Sequence, residues 1–482
     1  MKFGEDIACN YPWAVTEPTT DAPEDHTAQQ TRSGDGHPEE ATGTRTVPQG
    51  GFRAPIGTRD ISSPESDRRR RFINRFGDTV AMAGYRELST PIFEDLGVFL
   101  RVGESTDVVT KEMYDFVDKG GRRMALRPEL TAGVCRSFVE NRSQTLPHKV
   151  WYAGPQFRYE APQKARFRQF DQVGIEALGV FDPDLDVEVI VLAHRFLAGL
   201  GLSDVRLHVN TLGEREERAA YVEVLRTYLQ SNEADLSDES KVTLAKNPLR
   251  VLDSKRRGDQ SIIANAPVIA DVLSDRSSAY FARVLEGLRS ANVAFEVSPR
   301  LVRGLDYYCH TTFELAAMSM DAAQNAVGGG GRYDGLVASL GGPETPGIGF
   351  ALGVDRSLIA CDAEGVFPAE VPTVAVFVID TTDGTAARTA VDQLRSAGIS
   401  ADRSWSQEFD ASGSQQRSMK AQMKAANRSG AALALIYGTD EVEHHRVIVR
   451  DLRQSEQHEV HDAEMLKTVA SLLQAPVEDS MR

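Results

Sequence analysis

The chain has no apolar run approaching the roughly 18 residues that a bilayer span needs, so no membrane-spanning helix is expected. Its four cysteines, Cys9, Cys135, Cys309 and Cys361, stand far apart, without the paired spacing of a zinc site or the density of a disulfide framework. A reducing cytoplasm is the compartment this fits. The N-terminal residues lack both a basic patch followed by an apolar core and an Arg-rich, acid-poor stretch, the marks of secretion and organelle import. Positive charge is short as well: 54 basic against 70 acidic residues leave −16. That balance disfavours a nucleic-acid partner without excluding one, because phosphate binding depends on local patches. No Gly-Lys-Ser/Thr follows the long glycine run, which excludes a P-loop.

A length of 482 residues is too great for one hydrophobic core, and two or three domains are expected. Residues 1–50 hold nine acidic and three basic side chains among Pro, Gly and Thr; lacking aliphatic periodicity, they read as a disordered acidic tail. A first folded domain over 51–368 opens with SSPESDRRRRFINRFGDTVAMAGY. This predicts a helix capped by Ser62 or Ser63, with Phe72, Phe76, Thr79 and Ala83 on its buried face. A second helix follows at DVEVIVLAHRFLAGLG, residues 214–290 read as almost wholly helical, and strand-like sequence resumes at Phe295. Strands mixed with separate helices point to an α+β domain on an antiparallel sheet. Residues 369–482 alternate strand and helix instead, the pattern of a small α/β domain.

Polar residues concentrate in a few stretches. Residues 151–179, WYAGPQFRYEAPQKARFRQFDQVGIEALG, read as two strands joined by a loop containing Glu160, Lys164 and Arg166. Arg168, Gln172 and Glu176 recur every fourth residue, a spacing that keeps side chains on one strand face. With Arg158 and Glu160 on the facing strand, this reads as a functional cleft. RMALRPELTAG alternates Arg127, Glu129 and Thr131 around Pro128, a pattern equally compatible with a surface strand entering a helix. LVRGLDYYCHTTFEL sets Arg303, Asp306, Tyr307 and Tyr308 on a segment otherwise apolar like a buried strand. NAVGGGGRYDGLVASLGG carries glycines whose backbone could approach a phosphate, although a hairpin turn is the default reading of such a run. TPGIGFALGVDRSLIA places Arg356 at a helix start. Arginine forks bond phosphate oxygens bidentately and keep their charge, while carboxylates suit an amine or an imidazolium. Together these groups describe a pocket for a nucleotide beside a zwitterionic amino acid.

FRAPIGTRD, FRYEAPQKARFRQFDQVGIE, LVRGLDYY, GGRYDGL and GFALGVDR, in this order, resemble the motifs of the histidyl-tRNA synthetase (histidine–tRNA ligase) family, class II aminoacyl-tRNA synthetases. The resemblance spans about residues 52–475, and RGLDYY with GGRYDGL is its most specific part. It implies a class II catalytic domain with an antiparallel sheet and a helical insertion, followed by an α/β anticodon-binding domain. It also implies a cytoplasmic enzyme that activates L-histidine with ATP to histidyl-adenylate and pyrophosphate, then transfers histidine to the 3′ end of tRNA(His). Carried over position by position, Arg158 and Arg303 would be catalytic, gripping the α-phosphate from opposite sides. Glu160 and Arg356 would join them in binding ATP, with Arg356 on the γ-phosphate. Glu129, Thr131 and Gln172 would take the histidine α-amino group, while Glu176, Tyr307, Tyr308 and Tyr333 would surround the imidazole. Mg2+ would arrive with ATP, with no dedicated protein site. The resemblance further implies a homodimer with GYRELSTPIFED at its interface. In the C-terminal part, Arg417, Lys420, Lys424 and Arg428 would meet tRNA from one helix face, while Met419, Met423 and Ala426 fall on another.

The chain departs from the family pattern at Cys309-His310 and at Asp171. His310 reads as a spacer rather than an acid–base group. Two other readings take the same ligands without turnover: a regulatory paralogue of ATP phosphoribosyltransferase, and a histidine- or tRNA-sensing module. Such paralogues tend to lack the C-terminal domain and the catalytic arginines, both of which this chain has.

Overall fold

Helix Glu65–Ala81 opens the fold because Phe72, Phe76 and Val80, four residues apart, supply one continuous apolar edge, and all three are buried. Phe72 and Phe76 each meet Phe196 edge to face at 5.0 Å, which packs this helix on helix Pro183–Gly199. Burying each such ring contributes about 2 kcal/mol. Two expectations are corrected. Pro64 occupies the cap position, and no side chain caps the helix. Thr79 and Ala83 are half-buried; the Thr79 hydroxyl donates to the Arg75 carbonyl, and Val80 takes the core position.

The computed structural model describes residues 52–101, 111–141, 145–161, 166–302, 307–320, 325–406, 408–410 and 413–474. The acidic tail lies outside them, as do Lys164, Arg303 and Asp306. In chain order the first strands are β1 (Arg86–Glu87), then β2 (Phe93–Asp95), β3 (Tyr114–Val117) and β4 (Arg123–Leu126). The last three form a small sheet in the order β2-β4-β3. The main sheet combines β1 with β5 (His148–Phe157), β6 (Gln169–Leu178), β7 (Val205–Thr211), β8 (Glu296–Val297), β9 (Cys309–Ala317), β10 (Ala326–Arg332) and β11 (Gly347–Gly353). Its order is β1-β5-β6-β11-β10-β9-β7-β8. Pairing is antiparallel throughout the interior and parallel only at the two edges.

The glycine run 328–331 is strand β10 itself, not a hairpin turn. A Cβ on Gly330 would lie 2.0 Å from the Gly349 carbonyl oxygen, and one on Gly328 2.5 Å from that of Ala351. The glycines therefore serve close strand approach in the middle of the sheet.

From Arg215 to Ser290 the described elements are helical. Tyr221, Leu225, Leu229, Leu244, Ile262 and Ile263 form a separate small core there. Helix Asp275–Ser290 does not share it. Its Val284 and Leu288 join the main core, and Gly287 lets it approach Val187, since a Cβ there would sit at 2.5 Å.

The C-terminal sheet has the order β13-β12-β16-β17-β18, built from β12 (Val376–Asp380), β13 (Ala401–Arg403), β16 (Leu433–Tyr437), β17 (Arg446–Asp451) and β18 (Gln457–His461). A separate hairpin pairs β14 (Glu408–Asp410) with β15 (Gly413–Gln415). The strand–helix alternation gives parallel β13-β12-β16, whereas β17 and β18 return antiparallel. Apolar clusters cover both faces. Among the described residues no helix is long and apolar enough to cross a membrane.

Candidate active site

One cavity of about 380 Å3 opens over β5, β6, β9, β10 and β11, and it gathers most of the residues singled out from the sequence. Glu129, Thr131, Arg158, Glu160, Gln172, Glu176, Tyr307, Tyr308, Tyr333 and Arg356 all line it. Arg303 lies outside the described residues.

Glu176 stands at the centre of the first group of contacts. It is 1% exposed. Its Oε1 accepts from Thr131 Oγ1 at 2.6 Å and from the Tyr152 hydroxyl at 3.1 Å, and its Oε2 accepts from the Tyr333 hydroxyl. Burial pushes the Glu176 carboxyl up to about 8, against the opposing pull of these hydroxyl donors. Two glycines make room for it. A Cβ on Gly349 would lie 1.8 Å from Glu176 Oε2, and one on Gly347 would meet the Tyr333 ring at 2.5 Å. Tyr307 packs on Tyr308 and Tyr333, with ring centroids at 4.7 and 5.5 Å. Burial also holds the Tyr152, Tyr307 and Tyr333 hydroxyls well above their usual range, so they remain donors.

Glu129 resolves the open reading of its segment. It stands just before helix Thr131–Glu140 and accepts from the Thr131 and Ala132 amides at 2.6 and 3.0 Å. It thereby caps that helix while its carboxylate lines the cavity. Burial raises its proton affinity. Each carboxylate oxygen has a second lone pair, which leaves Glu129 able to accept from a ligand amine.

A second group of contacts is cationic. Arg158, one residue past β5, anchors its Nε on the Pro128 carbonyl at 2.9 Å and lies 5.3 Å over the Phe170 ring. Arg356 donates to the Ala326 carbonyl at 3.0 Å. Burial, then the nearby Arg166 charge, lowers the Arg356 guanidinium from its ordinary value. Arg166 pairs with Glu160 at 2.8 Å. Three guanidinium groups thus converge beside Phe167 and Phe170, an arrangement suited to a polyanion carrying an aromatic base.

Arg168 leaves the expected face, because it precedes β6. It stacks 3.8 Å over Tyr159, and its Nε bonds the Glu160 carbonyl at 3.1 Å. His310 lies away from this cavity, buried between Phe181 and Tyr280 with ring centroids at 5.2 and 5.1 Å; burial lowers its proton affinity. Asp171 pairs with Arg69 at 2.5 Å, which accounts for its charge beside Gln172. The sequence reading missed Tyr152, Arg166, Phe170 and Glu314 as lining residues. Tyr152 was recoverable only from the β5–β6 register, which sets Val150 opposite Glu176 and Tyr152 opposite Gly174.

In the C-terminal domain, helix Met419–Ser429 begins after the Ser418 cap, later than expected. Lys420, Lys424 and Arg428 are exposed along it, and Arg417 precedes it, half-buried. Of the face opposite the basic residues, Met419 is 40% exposed while Ala426 is buried, together with Gln422. The reason is polar: Gln422 donates to the Asp380 and Arg417 carbonyls, at 2.6 and 2.7 Å. Nearby, Arg403 lies 4.2 Å over Trp405, which is 60% exposed.

The family model for histidyl-tRNA synthetase matches residues 57–356, and that for an anticodon binding domain matches residues 373–472. A histidine–tRNA ligase of Corynebacterium urealyticum is 45% identical over 421 residues, covering 86% of this chain and 96% of that protein. One from Latilactobacillus sakei is 44% identical over 411 residues, covering 83% and 93%. The apo histidyl-tRNA synthetase structure of S. aureus superposes with a TM-score of 0.72 at 32% identity, covering 87% of this chain and 99% of that one. With the α+β catalytic sheet and the C-terminal domain both in place, the chain belongs to the histidyl-tRNA synthetase family.

Proposed function

We propose that the cavity binds histidine and ATP side by side and joins them as histidyl-adenylate before transfer to tRNA(His). The chain is a ligase of the aminoacyl-tRNA synthetase class, and the residue roles follow from the two groups of contacts. The carrying observation is their coexistence in one cavity: a buried carboxyl held by three hydroxyls, and a separate set of guanidinium groups. Glu176, Tyr307, Tyr308 and Tyr333 take the imidazole; Glu129, Thr131 and Gln172 take the α-amino group. Arg158, Glu160 and Arg356 take ATP, with Arg303 completing the α-phosphate site.

Chemically, the histidine carboxylate attacks the α-phosphorus in line and pyrophosphate leaves. Two anions must meet, so catalysis is positioning plus charge neutralisation. Loss of one arginine aimed at the transition state costs about 10²- to 10³-fold, by analogy with an oxyanion donor. Magnesium travels with the triphosphate, since it keeps several waters and needs only one or two carboxylates beside the phosphates. Glu160 and Glu314 are among the carboxylates that line the cavity.

The tRNA anticodon meets the C-terminal domain at Arg417, Lys420, Lys424 and Arg428. The Arg403–Trp405 pair adds a platform on which an unstacked base can lie. Homodimerisation is supported by exposed apolar side chains on and beside the small sheet, Ile92, Phe93, Phe116 and Val117. The enzyme acts in the cytoplasm.

The deciding experiment is histidine-dependent exchange of pyrophosphate into ATP by the purified chain without tRNA, with other amino acids as controls. Exchange with histidine alone supports activation. No exchange, with histidine still bound, supports the regulatory or sensing reading.

A further inference from the structure

We propose that Arg69 is a positioning residue that locks the histidine half of the pocket to the ATP half, acting through Asp171 and Asp355. The proposal rests on the reading of this cavity as the histidine and ATP site. Arg69 lies near the start of helix Glu65–Ala81, is 6% exposed and is not among the cavity-lining residues. Its Nη2 donates to Asp171 Oδ2 at 2.5 Å and its Nη1 to Asp355 Oδ1 at 2.7 Å. Both carboxylate residues do line the cavity.

Their neighbours give this bridge its meaning. Asp171 directly precedes Gln172 on β6, and Asp355 directly precedes Arg356 at the start of helix Val354–Glu364. One planar guanidinium therefore joins the strand carrying a histidine ligand to the helix carrying a phosphate ligand. A fork with fixed donor directions can hold two carboxylates at a set angle, which a lysine ammonium on a flexible stem does poorly. Asp355 has a second cation: Arg59 Nη2 donates to it at 3.1 Å while also pairing with Glu65, and the Arg59 guanidinium lies 4.9 Å over Phe167. Arg59 cannot replace Arg69, because none of its hydrogen bonds among the described residues reaches Asp171.

Electrostatics point the same way. Asp171 and Asp355 place two negative charges in the wall of a site that must receive a polyanion. Arg69 bonds both from behind the wall and offsets one of the two charges, with Arg59 a second cation on Asp355. Without it, the carboxylates would repel the triphosphate, and Arg356 would lose the fixed neighbour that sets its backbone.

The test is pyrophosphate exchange by the full chain, with direct histidine binding measured in the absence of ATP, for wild type, Arg69→Met, Arg69→Lys and Asp171→Asn. Thermal melting reports folding of each variant. Misplacement of a positioned group costs up to roughly 100-fold, so Arg69→Met should lower kcat/KM for ATP by roughly 10- to 100-fold. Histidine affinity without ATP should stay within about threefold, and Arg69→Lys should recover only part of the loss. Asp171→Asn keeps the side-chain shape at a partly exposed position; it relieves one wall charge but breaks the ionic arm of the bridge, and because the lost positioning outweighs the relieved repulsion it should lower kcat/KM for ATP by a smaller factor, about three- to tenfold. That variant keeps the test open if Arg69→Met does not fold. The proposal is overturned by unchanged ATP kinetics in either folded variant, or by histidine affinity falling in step with ATP kinetics. Absence of exchange in the wild type would instead strike at the histidine and ATP reading itself.

Discussion

Replacing Glu176 with Gln keeps the side-chain shape and removes the group whose ionisation the pocket resists. Burial raises this carboxyl from an ordinary value of 4.5 to about 8 in the fold. The folded state therefore favours the neutral acid: its contribution is fully present below pH 4.5 and is lost as pH rises through about 8. At 1.36 kcal/mol per pH unit, the separation corresponds to on the order of 5 kcal/mol once the group is fully ionised. Roughly 3 kcal/mol of that is lost between pH 5 and pH 8. For a domain of this size the loss lowers Tm by roughly 5 °C. Glu176→Gln has no such proton to lose, so its Tm should fall less than the wild type's between pH 5 and pH 8, by about that margin. The assay is thermal melting at closely spaced pH values with matched ionic strength. Parallel Tm profiles for the two proteins would refute the reasoning. In the same variant, the KM for histidine in pyrophosphate exchange below pH 8 should rise roughly 2- to 10-fold, the range for one lost hydrogen bond to a neutral group.

Gly349→Ala should displace Glu176, because the new methyl would overlap its Oε2; a KM for histidine within twofold of wild type would contradict the packing argument. Asp186→Asn leaves Arg332 buried without its carboxylate partner, both groups being 0% exposed, and should destabilise the fold by about 3 kcal/mol in chemical denaturation. A loss under about 1 kcal/mol would show that Asp334, 3.2 Å from Arg332, suffices. Arg303→Ala should abolish adenylate formation while sparing histidine binding, and wild-type exchange in that variant would remove Arg303 from the site. Charge reversal at Lys420 and Lys424 should raise the KM for tRNA in aminoacylation with exchange unaltered; an unchanged KM would exclude this helix from the RNA surface.

The motif residues were legible because their chemistry is local in sequence. Gln172 and Glu176 share a strand face by simple alternation, and Arg158 and Glu160 sit together past the end of the strand beside it. Glu129 was half legible: its polar alternation was visible, but its role as a helix cap required knowing where that helix begins. The glycine run was misread as a turn, since sequence records that glycines are present and not which backbone they approach. Thr79 was misplaced on a buried face because helical spacing fixes a face only to within a residue, and neighbours decide which edge is covered.

By itself, the sequence determined the two-part architecture, the class of substrate and most of the lining residues, through charge type, spacing and strand alternation. Only the tertiary structure decided what holds them: Tyr152 on Glu176 across the β5–β6 register, Gly349 clearing space for a carboxylate, and Arg69 joining Asp171 to Asp355 across 184 positions of chain. The physical reason is that each of these depends on distances between segments remote in sequence. Periodicity within one segment carries no information about which carboxylate a buried guanidinium will find.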